Sequence, residues 1–271
     1  MSENVFDTPE MAERWRQNAA LRSAYLKEAT ERMLDAAGVV PGARVLDLGT
    51  GTGDTALLAA ARVGPAGHVL ATDVAPSMVS ATQQAVREAG LENVEVRAAD
   101  AAALDLEAAA YDAVIARFSL MFIPDIGPAL AGIRRVARHG GRLAALVWGP
   151  GEANPCMALA PGVARRTGRL RIPEERATAP LRLGDRDALA AATRDAGWKE
   201  VAVEGIALER RFPDANAAFE AIWSSPLATA VAGELQGDEL AGYQADLRAE
   251  VEARGLTYPG LALLLRARNL A

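Results

Sequence analysis

Cysteine and histidine are scarce in this sequence of 271 residues, which holds one cysteine and two histidines. A single cysteine, Cys156, excludes an internal disulfide framework and a multi-cysteine zinc site, and we interpret it as a small apolar residue. We predict no metal site. Aromatic residues make up only 5% of the chain, whereas 51% of its residues are hydrophobic and 24% are charged. This composition is typical of a soluble globular protein.

Long apolar runs are also lacking, since no stretch approaches the ~18 residues that would span a bilayer. The first seven residues lack the basic and apolar regions of a signal peptide. We therefore expect a cytoplasmic protein that does not contact membranes. The net charge of −6 argues against a general electrostatic attraction to nucleic acid. These properties are compatible with a homodimer.

Apolar residues follow helical and extended patterns in alternation over the first 150 residues. A helix is predicted over residues 8–36, and short strands are predicted at 44–48, 68–73, 94–97, 111–116 and 142–148. Further helices are predicted between these strands, at 56–62, 77–89 and 126–136. Strands that alternate with helices at this spacing predict a parallel sheet covered on both faces. The predicted fold class is therefore α/β, doubly wound and Rossmann-like.

The last 120 residues have a less regular pattern. The sequence predicts a helix at 187–196, a long strand over Val201–Leu208 with a bulge at Gly205, and helices over 215–254. Periodicity alone does not decide whether the Leu-rich segment 261–268 is a strand or a helix. No repeat or linker marks a boundary, so we expect one domain over 1–271. Its parts would be a helical lid (1–40), a core (41–150) and C-terminal strands (151–271) with a helical insertion at about 213–254.

A glycine-rich loop in Val45–Asp54 is the most informative segment. Gly49, Gly51 and Gly53 follow a strand and open a helix, so that a ligand can lie against backbone that carries no Cβ. The dinucleotide-binding fingerprint is not matched, because it requires glycine or alanine at the position of Asp54. The Gly-Lys-Ser/Thr of a phosphate loop is also missing. The loop therefore predicts a small-molecule ligand that is not anchored by phosphates.

Acidic residues follow three successive strands of the predicted sheet. Asp47 would repel a pyrophosphate on the loop but suits an ammonium group or another positive centre. Asp73 can accept both hydroxyls of a ribose, and Asp100 can accept a hydrogen bond from an exocyclic amine. The carboxyl ends of parallel strands share one crevice, so the three acids describe a pocket for a nucleoside with a positively charged tail. S-adenosylmethionine fits that description.

Taken together, these segments resemble the class I S-adenosylmethionine-dependent methyltransferases, in the ubiquinone/menaquinone-biosynthesis-like group that acts on small molecules. The motifs that carry the resemblance are Val45–Asp54, Val69–Met78, Arg97–Ala101, Asp112–Ser119 and Gly140–Trp148. The resemblance implies a seven-stranded sheet with helical lid elements. Its last strand, formed by the last eleven residues, would be antiparallel and inserted beside strand five. The implied reaction is methyl transfer to an oxygen, nitrogen or carbon of a small-molecule acceptor.

The resemblance also implies which residues bind the cofactor. The methionine part would lie on the glycine loop and near the backbone of Ala116 and Arg117, the ribose on Asp73, and the adenine on Met78 and beside Asp100. A tyrosine in the lid, Tyr25, could hold the cofactor carboxylate. The full cofactor-binding set is Tyr25, Asp47, Gly49, Thr50, Gly51, Gly53, Asp73, Val74, Met78, Asp100, Ala101, Ala116 and Arg117.

Neither histidine is expected to act as a general base. His68 begins strand two, five residues or ~16 Å before Asp73, and His139 precedes strand five at the same far edge of the sheet. Methyl transfer does not require a base, because alignment of the reactants can lower a barrier by ~7–11 kcal/mol. If a base exists, Tyr25 and Glu152 are the best candidates. Arg117 could pair with an acidic substrate or form a structural salt bridge.

Large apolar side chains from the lid and from the strand ends are expected to line the acceptor pocket. They are Trp15, Phe118, Met121, Trp148 and Trp223. Many relatives carry histidines where this chain has Met121 and Phe122, so this part of the site is predicted to be more apolar.

Two other functions remain open. The chain could bind the cofactor as a regulatory, non-methylating member of the same fold. A nicotinamide-dependent oxidoreductase is disfavoured by Asp47, by Asp54 and by the lack of a Tyr-x-x-x-Lys proton relay.

Overall fold

The protein folds around one seven-stranded sheet with helices on both faces. The computed structural model describes residues 13, 15, 16 and 19–270. The strands are β1 (Arg44–Leu48), β2 (His68–Asp73), β3 (Val94–Ala98), β4 (Tyr111–Arg117), β5 (Ala137–Trp148), β6 (Lys199–Arg211) and β7 (Thr257–Arg268). The helices are α1 (Ala19–Ala37), α2 (Asp54–Val63), α3 (Pro76–Glu88), α4 (Ile126–Val136), α5 (Pro155–Arg166), α6 (Glu174–Thr178), α7 (Arg186–Asp195), α8 (Ala215–Trp223), α9 (Pro226–Gly233) and α10 (Gly237–Arg254).

The strand order in the sheet is β3-β2-β1-β4-β5-β7-β6. Strands β1 to β5 pair in parallel, and β7 runs antiparallel to its neighbours β5 and β6. This order confirms the doubly wound, Rossmann-like fold and the insertion of an antiparallel last strand beside strand five. The strand order reverses direction between β1 and β4. Open α/β sheets have a ligand crevice at such a reversal, at the carboxyl ends of the strands.

The central strands are buried on both faces, as expected for parallel strands covered by helices. One face packs against α1 and α2 through residues such as Leu26, Met33 and Ala56. The other face packs against α4 and α7, with Ile133 and Leu189 in its core. The predicted helix over 8–36 is confirmed for residues 19–36, whereas residues 8–12, 14, 17 and 18 lie outside the described residues.

The C-terminal part differs from the sequence prediction at Gly205, at α5 and at the short helix α6, which was also not predicted. The bulge expected at Gly205 is wrong, because Gly205 pairs regularly with Leu263 and the register shift lies between Lys199 and Ala202. Helix α5 was not predicted, since Pro161 lies inside it and a proline normally interrupts a helical pattern. The helices predicted over 215–254 are confirmed as α8, α9 and α10, which pack with α5 into a separate apolar cluster.

Among the described residues, no helix has both the length and the apolar character that crossing a membrane requires.

Candidate active site

The glycine loop between β1 and α2 adopts a path that requires glycine. Gly49, Gly51 and Gly53 all have positive φ, at 69°, 61° and 92°. The amides of Gly49 and Thr50 both donate to the Thr72 carbonyl on β2, at 2.8 and 2.9 Å. A Cβ on Gly49 would lie 2.4 Å from the Cβ of Ser119. The loop is therefore held close to the ends of β2 and β4, and this close packing requires glycine at position 49.

Asp73 lies at the carboxyl end of β2, at the edge of the sheet that carries the glycine loop. Its carboxylate accepts hydrogen bonds from the amides of Gly51 and Ala75, each at 3.0 Å. Val74 next to it is 56% exposed, although it is a large apolar residue. The Thr82 hydroxyl donates to the Gly51 carbonyl at 2.7 Å and fixes the loop from the side of α3. A carboxylate and an open apolar side chain therefore stand together beside the loop.

Trp15 lies beside the start of α3, although we expected it in the acceptor pocket. It packs on a small apolar cluster with Ala75 and the buried Met78. A Cβ on Gly51 would lie 3.8 Å from its indole nitrogen. The Arg22 guanidinium lies 5.0 Å from the centre of its ring. Trp15 and Met78 thus flank the space next to the Asp73 carboxylate.

Asp47 does not line the crevice as expected. It is 1% exposed, and within the described part of the chain neither carboxylate oxygen has a hydrogen-bond partner. Burial raises the pKa of Asp47 to about 7; Asp73 and Asp54 add to the rise, while Thr50 and Arg117 oppose it. The nearby Thr50 hydroxyl favours the ionised form but does not reach hydrogen-bond geometry. Because its carboxylate is buried beneath the loop, Asp47 can act on a ligand only through its electrostatic field.

The third predicted acid lies at the open side of the crevice. Asp100 is exposed after β3, and its carboxylate accepts a hydrogen bond from the amide of Ala102 at 2.8 Å. Ala101 is half-buried against the core. Both residues are accessible to a ligand that leaves the loop in the direction of β3.

An ion-pair network ties the lid helix α1 to the loop. Asp54, the first residue of α2, pairs with Arg22 at 2.8 Å and with Arg117 at 3.0 Å. Burial alone would raise the pKa of Asp54, but the two guanidinium groups outweigh it and hold the pKa below its usual range. Of the two alternatives for Arg117, the geometry fits the structural salt bridge. Sequence reasoning missed Arg22, although its position one turn before Tyr25 on the lid helix was a usable signal.

Phe118 and Trp148 meet at the carboxyl ends of β4 and β5. Their rings stack with centroids 4.1 Å apart and planes 19° apart. Phe118 has a φ of 54°, which is unusual for a residue other than glycine, and its amide donates to the Leu146 carbonyl at 2.8 Å. This backbone conformation turns the ring onto Trp148 and builds a flat aromatic wall beside the glycine loop.

Two residues predicted to line the acceptor pocket lie elsewhere. Met121 is 1% exposed and belongs to the core beneath the sheet. Trp223 belongs to the apolar cluster of the C-terminal helices, where its ring centroid lies 5.8 Å from those of Phe219 and Tyr243. Both assignments were wrong because a large apolar residue near a motif in sequence can pack inward as readily as toward a ligand.

The two candidate bases are also poorly placed for that role. The Tyr25 hydroxyl lies against β7, where a Cβ on Gly260 would be 2.5 Å from it, and not at the glycine loop. Burial raises the pKa of Tyr25 to about 12, so the phenol stays protonated at neutral pH. Glu152 is exposed and lines a cavity of about 360 Å³ bordered by α5, away from the loop residues.

Both histidines lie at the opposite edge of the sheet. His68 is the first residue of β2, and His139 is exposed near the start of β5, which begins at Ala137 and not at Arg142 as predicted. Among the described residues, no group of three or more His, Cys, Asp and Glu side chains could hold a metal ion.

The sequence is similar to those of methyltransferases, in agreement with the glycine loop and Asp73. Residues 45–141 match a family model described as a methyltransferase domain. The chain is 33% identical over 212 residues to nocamycin O-methyltransferase of Saccharothrix syringae. The aligned region covers 75% of this chain and 76% of that enzyme. It is 37% identical over 113 residues to aklanonic acid methyltransferase of Streptomyces sp. strain C5, and 35% identical over 108 residues to a demethylmenaquinone methyltransferase of Listeria monocytogenes.

The matches differ in extent. The chain spans about half the length of the last two relatives, 51% and 46%. Among solved structures, YcgJ of Bacillus subtilis superposes with a TM-score of 0.62 at 18% identity, over 90% of this chain and 99% of that one. The [4+2]-cyclase SpnF superposes with a TM-score of 0.58 at 23% identity, over 90% of this chain and 81% of that one. These two structures share the fold.

The fold, the glycine loop and the acid at the end of β2 define a class I methyltransferase. The chain belongs to the S-adenosylmethionine-dependent methyltransferases, in the group that includes the enzymes of quinone biosynthesis and small-molecule O-methylation. Its cofactor is S-adenosylmethionine.

Proposed function

We propose that the protein transfers a methyl group from S-adenosylmethionine to an oxygen of a ring-containing small molecule, without a histidine base. The observation that carries this proposal is the Asp73 carboxylate, 3.0 Å from the Gly51 amide at the carboxyl edge of the sheet. The choice of an oxygen acceptor, over nitrogen or carbon, is supported by the likeness to nocamycin O-methyltransferase over three quarters of the chain. The aromatic wall of Phe118 and Trp148 supports an acceptor with a ring.

The residues at the crevice fit the cofactor. A Cβ on Gly49 would meet Ser119, and a Cβ on Gly51 would lie 3.8 Å from the Trp15 indole nitrogen, so both glycines keep the loop in the path to which we assign the methionine part. We assign the ribose to Asp73 and Val74, and the adenine to Met78 with Trp15 above it. The other cofactor contacts that we propose are Thr50, Gly53, Asp100, Ala101 and the backbone of Ala116 and Arg117. When bound, S-adenosylmethionine supplies a methyl group that its sulfonium charge already activates.

The chain contributes alignment and the exclusion of water. Helix α1 is tied to the start of α2 by the ion pair of Arg22 with Asp54, and to β4 by the hydrogen bond that Arg117 donates to the Thr30 hydroxyl at 3.3 Å. The stacked pair of Phe118 and Trp148 gives the acceptor a rigid apolar surface. Holding the reactants in line in this way can supply ~7–11 kcal/mol of the barrier reduction. No proton needs to be taken up by His68 or His139 in this scheme.

Incubation with methyl-labelled S-adenosylmethionine and a panel of phenols and ring carboxylic acids tests the proposal. We expect label in at least one oxygen-methylated product, with an equal amount of S-adenosylhomocysteine formed. Gly49→Ala is the matched control that should bind no cofactor. Tight binding of S-adenosylhomocysteine without any transfer would favour the alternative of a non-methylating member of the fold, an alternative that the shared fold of the cyclase SpnF keeps relevant.

Other expectations stay predictions. We propose a cytoplasmic, single-domain protein that acts on small molecules and has no nucleic-acid partner. Sedimentation equilibrium would decide between a monomer and the homodimer that the sequence left open. A gel-shift assay with mixed nucleic acid would test the absence of a nucleic-acid partner.

A further inference from the structure

A cavity of about 460 Å³ lies at the amino ends of β4 and β5, at the edge of the sheet opposite to the glycine loop. One of its walls is the turn after α1, with residues 37, 38 and 40–43. The strands contribute the charged side chains of Asp112, Arg138, Arg142 and Arg268. This volume is in the range of pockets that hold small molecules, roughly 300–1,000 Å³. The cavity shares no residue with the sites to which we assign the cofactor and the acceptor.

Positive charge dominates the walls of the cavity, with three arginines against one aspartate in a protein whose net charge is −6. The carboxylate of Asp112 is already engaged through both of its oxygens. One oxygen lies 2.6 Å from the Arg138 guanidinium, and the other accepts a hydrogen bond from the Arg44 amide at 2.7 Å. Asp112 therefore compensates Arg138 and leaves the charges of Arg142 and Arg268 to other partners.

Arg142 and Arg268 are directly opposite each other in the antiparallel pair of β5 and β7. Side chains at such positions share one face of the sheet, with Cβ atoms about 4.5–5.5 Å apart, so that two like charges there repel each other. A third cation, Lys199 on β6, is the partner of Arg268 on its other side. The sequence thus places three positive charges in one row across three neighbouring strands.

The two opposed guanidinium groups keep unused hydrogen-bond donors. Arg142 is exposed, and within the described part of the chain it has neither a hydrogen bond nor an ion pair. Its side chain lies against the turn after α1, since a Cβ on Gly38 would be 3.3 Å from its Cδ and Nη1 atoms. Arg268 donates one hydrogen bond, to Glu200 at 3.3 Å, and its buried Nε has no acceptor among the described residues. An anion from outside the protein would both supply acceptors and relieve the repulsion.

The number of free donors favours a phosphate group over a carboxylate. A carboxylate has two oxygens, which a single guanidinium can occupy with two parallel hydrogen bonds. A phosphate monoester offers three acceptor oxygens and a charge of about −1.5 to −2 at pH 7, so that two arginines can share it. The turn after α1 adds Val40 and Pro41 to the wall, and Val40 is 56% exposed. An organic group next to the phosphate can therefore pack on an apolar surface.

We propose that this cavity is a second ligand site, which binds a small organic phosphate monoester between Arg142 and Arg268, with the organic group against Val40 and Pro41. The site is separated from the glycine loop by the length of the strands. The proposal is therefore independent of the proposed methyl transfer.

Titration calorimetry with phenyl phosphate, inorganic phosphate and benzoate tests this site. We expect phenyl phosphate to bind at least about threefold more tightly than inorganic phosphate, which has no ring to bury. It should bind about tenfold more tightly than benzoate, which has the ring but only two oxygens and one charge. Arg142→Gln should weaken the binding of phenyl phosphate at least about tenfold, and Arg142→Lys should weaken it less.

The matched control is Arg266→Gln, which removes an exposed positive charge from β7 outside the cavity and should bind phenyl phosphate as the wild type does. The melting temperature of each variant shows whether it is folded. Binding of S-adenosylhomocysteine, measured in the same samples, should be the same in all of them. A failure of the phosphate site would therefore leave the cofactor site standing, and the reverse also holds.

Absence of phenyl phosphate binding by the wild type would overturn the proposal, as would an Arg142→Gln variant that binds it equally well. Equal losses in Arg142→Gln and Arg266→Gln would mean that overall surface charge attracts the anion, and the proposed site would be wrong. Inorganic phosphate or benzoate that binds as tightly as phenyl phosphate would refute an organic phosphate as the ligand.

Discussion

Asp47 is a carboxylate that the fold buries without a hydrogen bond, and this has a consequence for stability. Its pKa is about 7 in the folded protein, against an ordinary value of 3.8. Between these two pH values the folded protein binds more protons than the unfolded chain. Stability therefore falls as the pH rises from about 4 to 7, by up to about 4 kcal/mol from this group.

The isosteric variant Asp47→Asn should remove this pH dependence. We expect the cofactor-free variant to exceed the wild type in free energy of unfolding by up to about 4 kcal/mol at pH 8, and the difference to shrink toward zero at pH 4. Urea unfolding of both proteins across this range is the measurement. A difference that does not change with pH would mean that Asp47 titrates at its ordinary pKa.

Asp73→Ala should weaken cofactor binding by ~2–4 kcal/mol, because two ribose hydroxyls lose a charged acceptor. The loop also loses the hydrogen bond from the Gly51 amide. Titration calorimetry with S-adenosylhomocysteine measures the change, with the exposed Asp125→Ala as control. Unchanged affinity in the Asp73 variant would refute the assignment of the ribose to this residue.

Residue roles were predictable from the sequence only where the backbone path determines them. Asp73 follows directly from its place at the end of β2, since a strand end in this fold always faces the crevice. Asp47 lies within β1, and its burial depends on how the loop folds back over it. Trp223 and Met121 were misassigned because their orientation depends on packing between distant segments.

At the scale of elements, the turn from β1 into α2 is the most constrained part of the fold. Gly49→Ala would place a Cβ 2.4 Å from the Cβ of Ser119 and would also keep a left-handed backbone, which costs ~1–2 kcal/mol. We expect this variant to lose measurable binding of S-adenosylhomocysteine in calorimetry.

Gly42→Ala separates the two effects. Gly42 also has a positive φ, of 81°, but an added Cβ would meet nothing within 4 Å. This control should lose ~1–2 kcal/mol of stability and bind the cofactor normally. If both variants bind normally, the loop does not depend on the close approach to Ser119.

The aromatic wall of Phe118 and Trp148 should control the acceptor and not the cofactor. Trp148→Ala removes the stacking partner of Phe118, so we expect kcat/KM for a ring acceptor to fall by about tenfold at unchanged affinity for S-adenosylhomocysteine. Trp223→Ala, in the cluster of C-terminal helices, should lower the melting temperature with little effect on KM. Steady-state kinetics that show the reverse order would return Trp223 to the acceptor pocket.

The alternation of strands and helices up to Trp148 was predictable because parallel strands give nearly continuous apolar runs between glycine-rich turns. The C-terminal half was less predictable from the sequence. Helix α5 contains Pro161, and β7 could not be distinguished from a helix by periodicity alone. Its place between β5 and β6 followed from the family resemblance, because no local pattern encodes the partner of a strand.

At the scale of the whole molecule, the carboxyl ends and the amino ends of the strands have different roles. The carboxyl edge carries the glycine loop, Asp73 and the aromatic wall, whereas His68 and His139 lie at the amino ends of their strands. His68 and Asp73 are the first and last residues of β2, five residues apart, which is about 16 Å at ~3.3 Å per residue. Neither imidazole can reach a reacting group held at the loop, and this topology supports the proposed transfer without a histidine base.

The most direct test of this account is the rate of labelled methyl transfer by the double variant His68→Ala/His139→Ala, compared with the wild type on the same acceptor. The account predicts rates within about threefold of each other, because loss of a true general base costs ~100- to 10,000-fold. A loss of a hundredfold or more, at unchanged affinity for S-adenosylhomocysteine, would contradict the placement of the active site at the carboxyl edge.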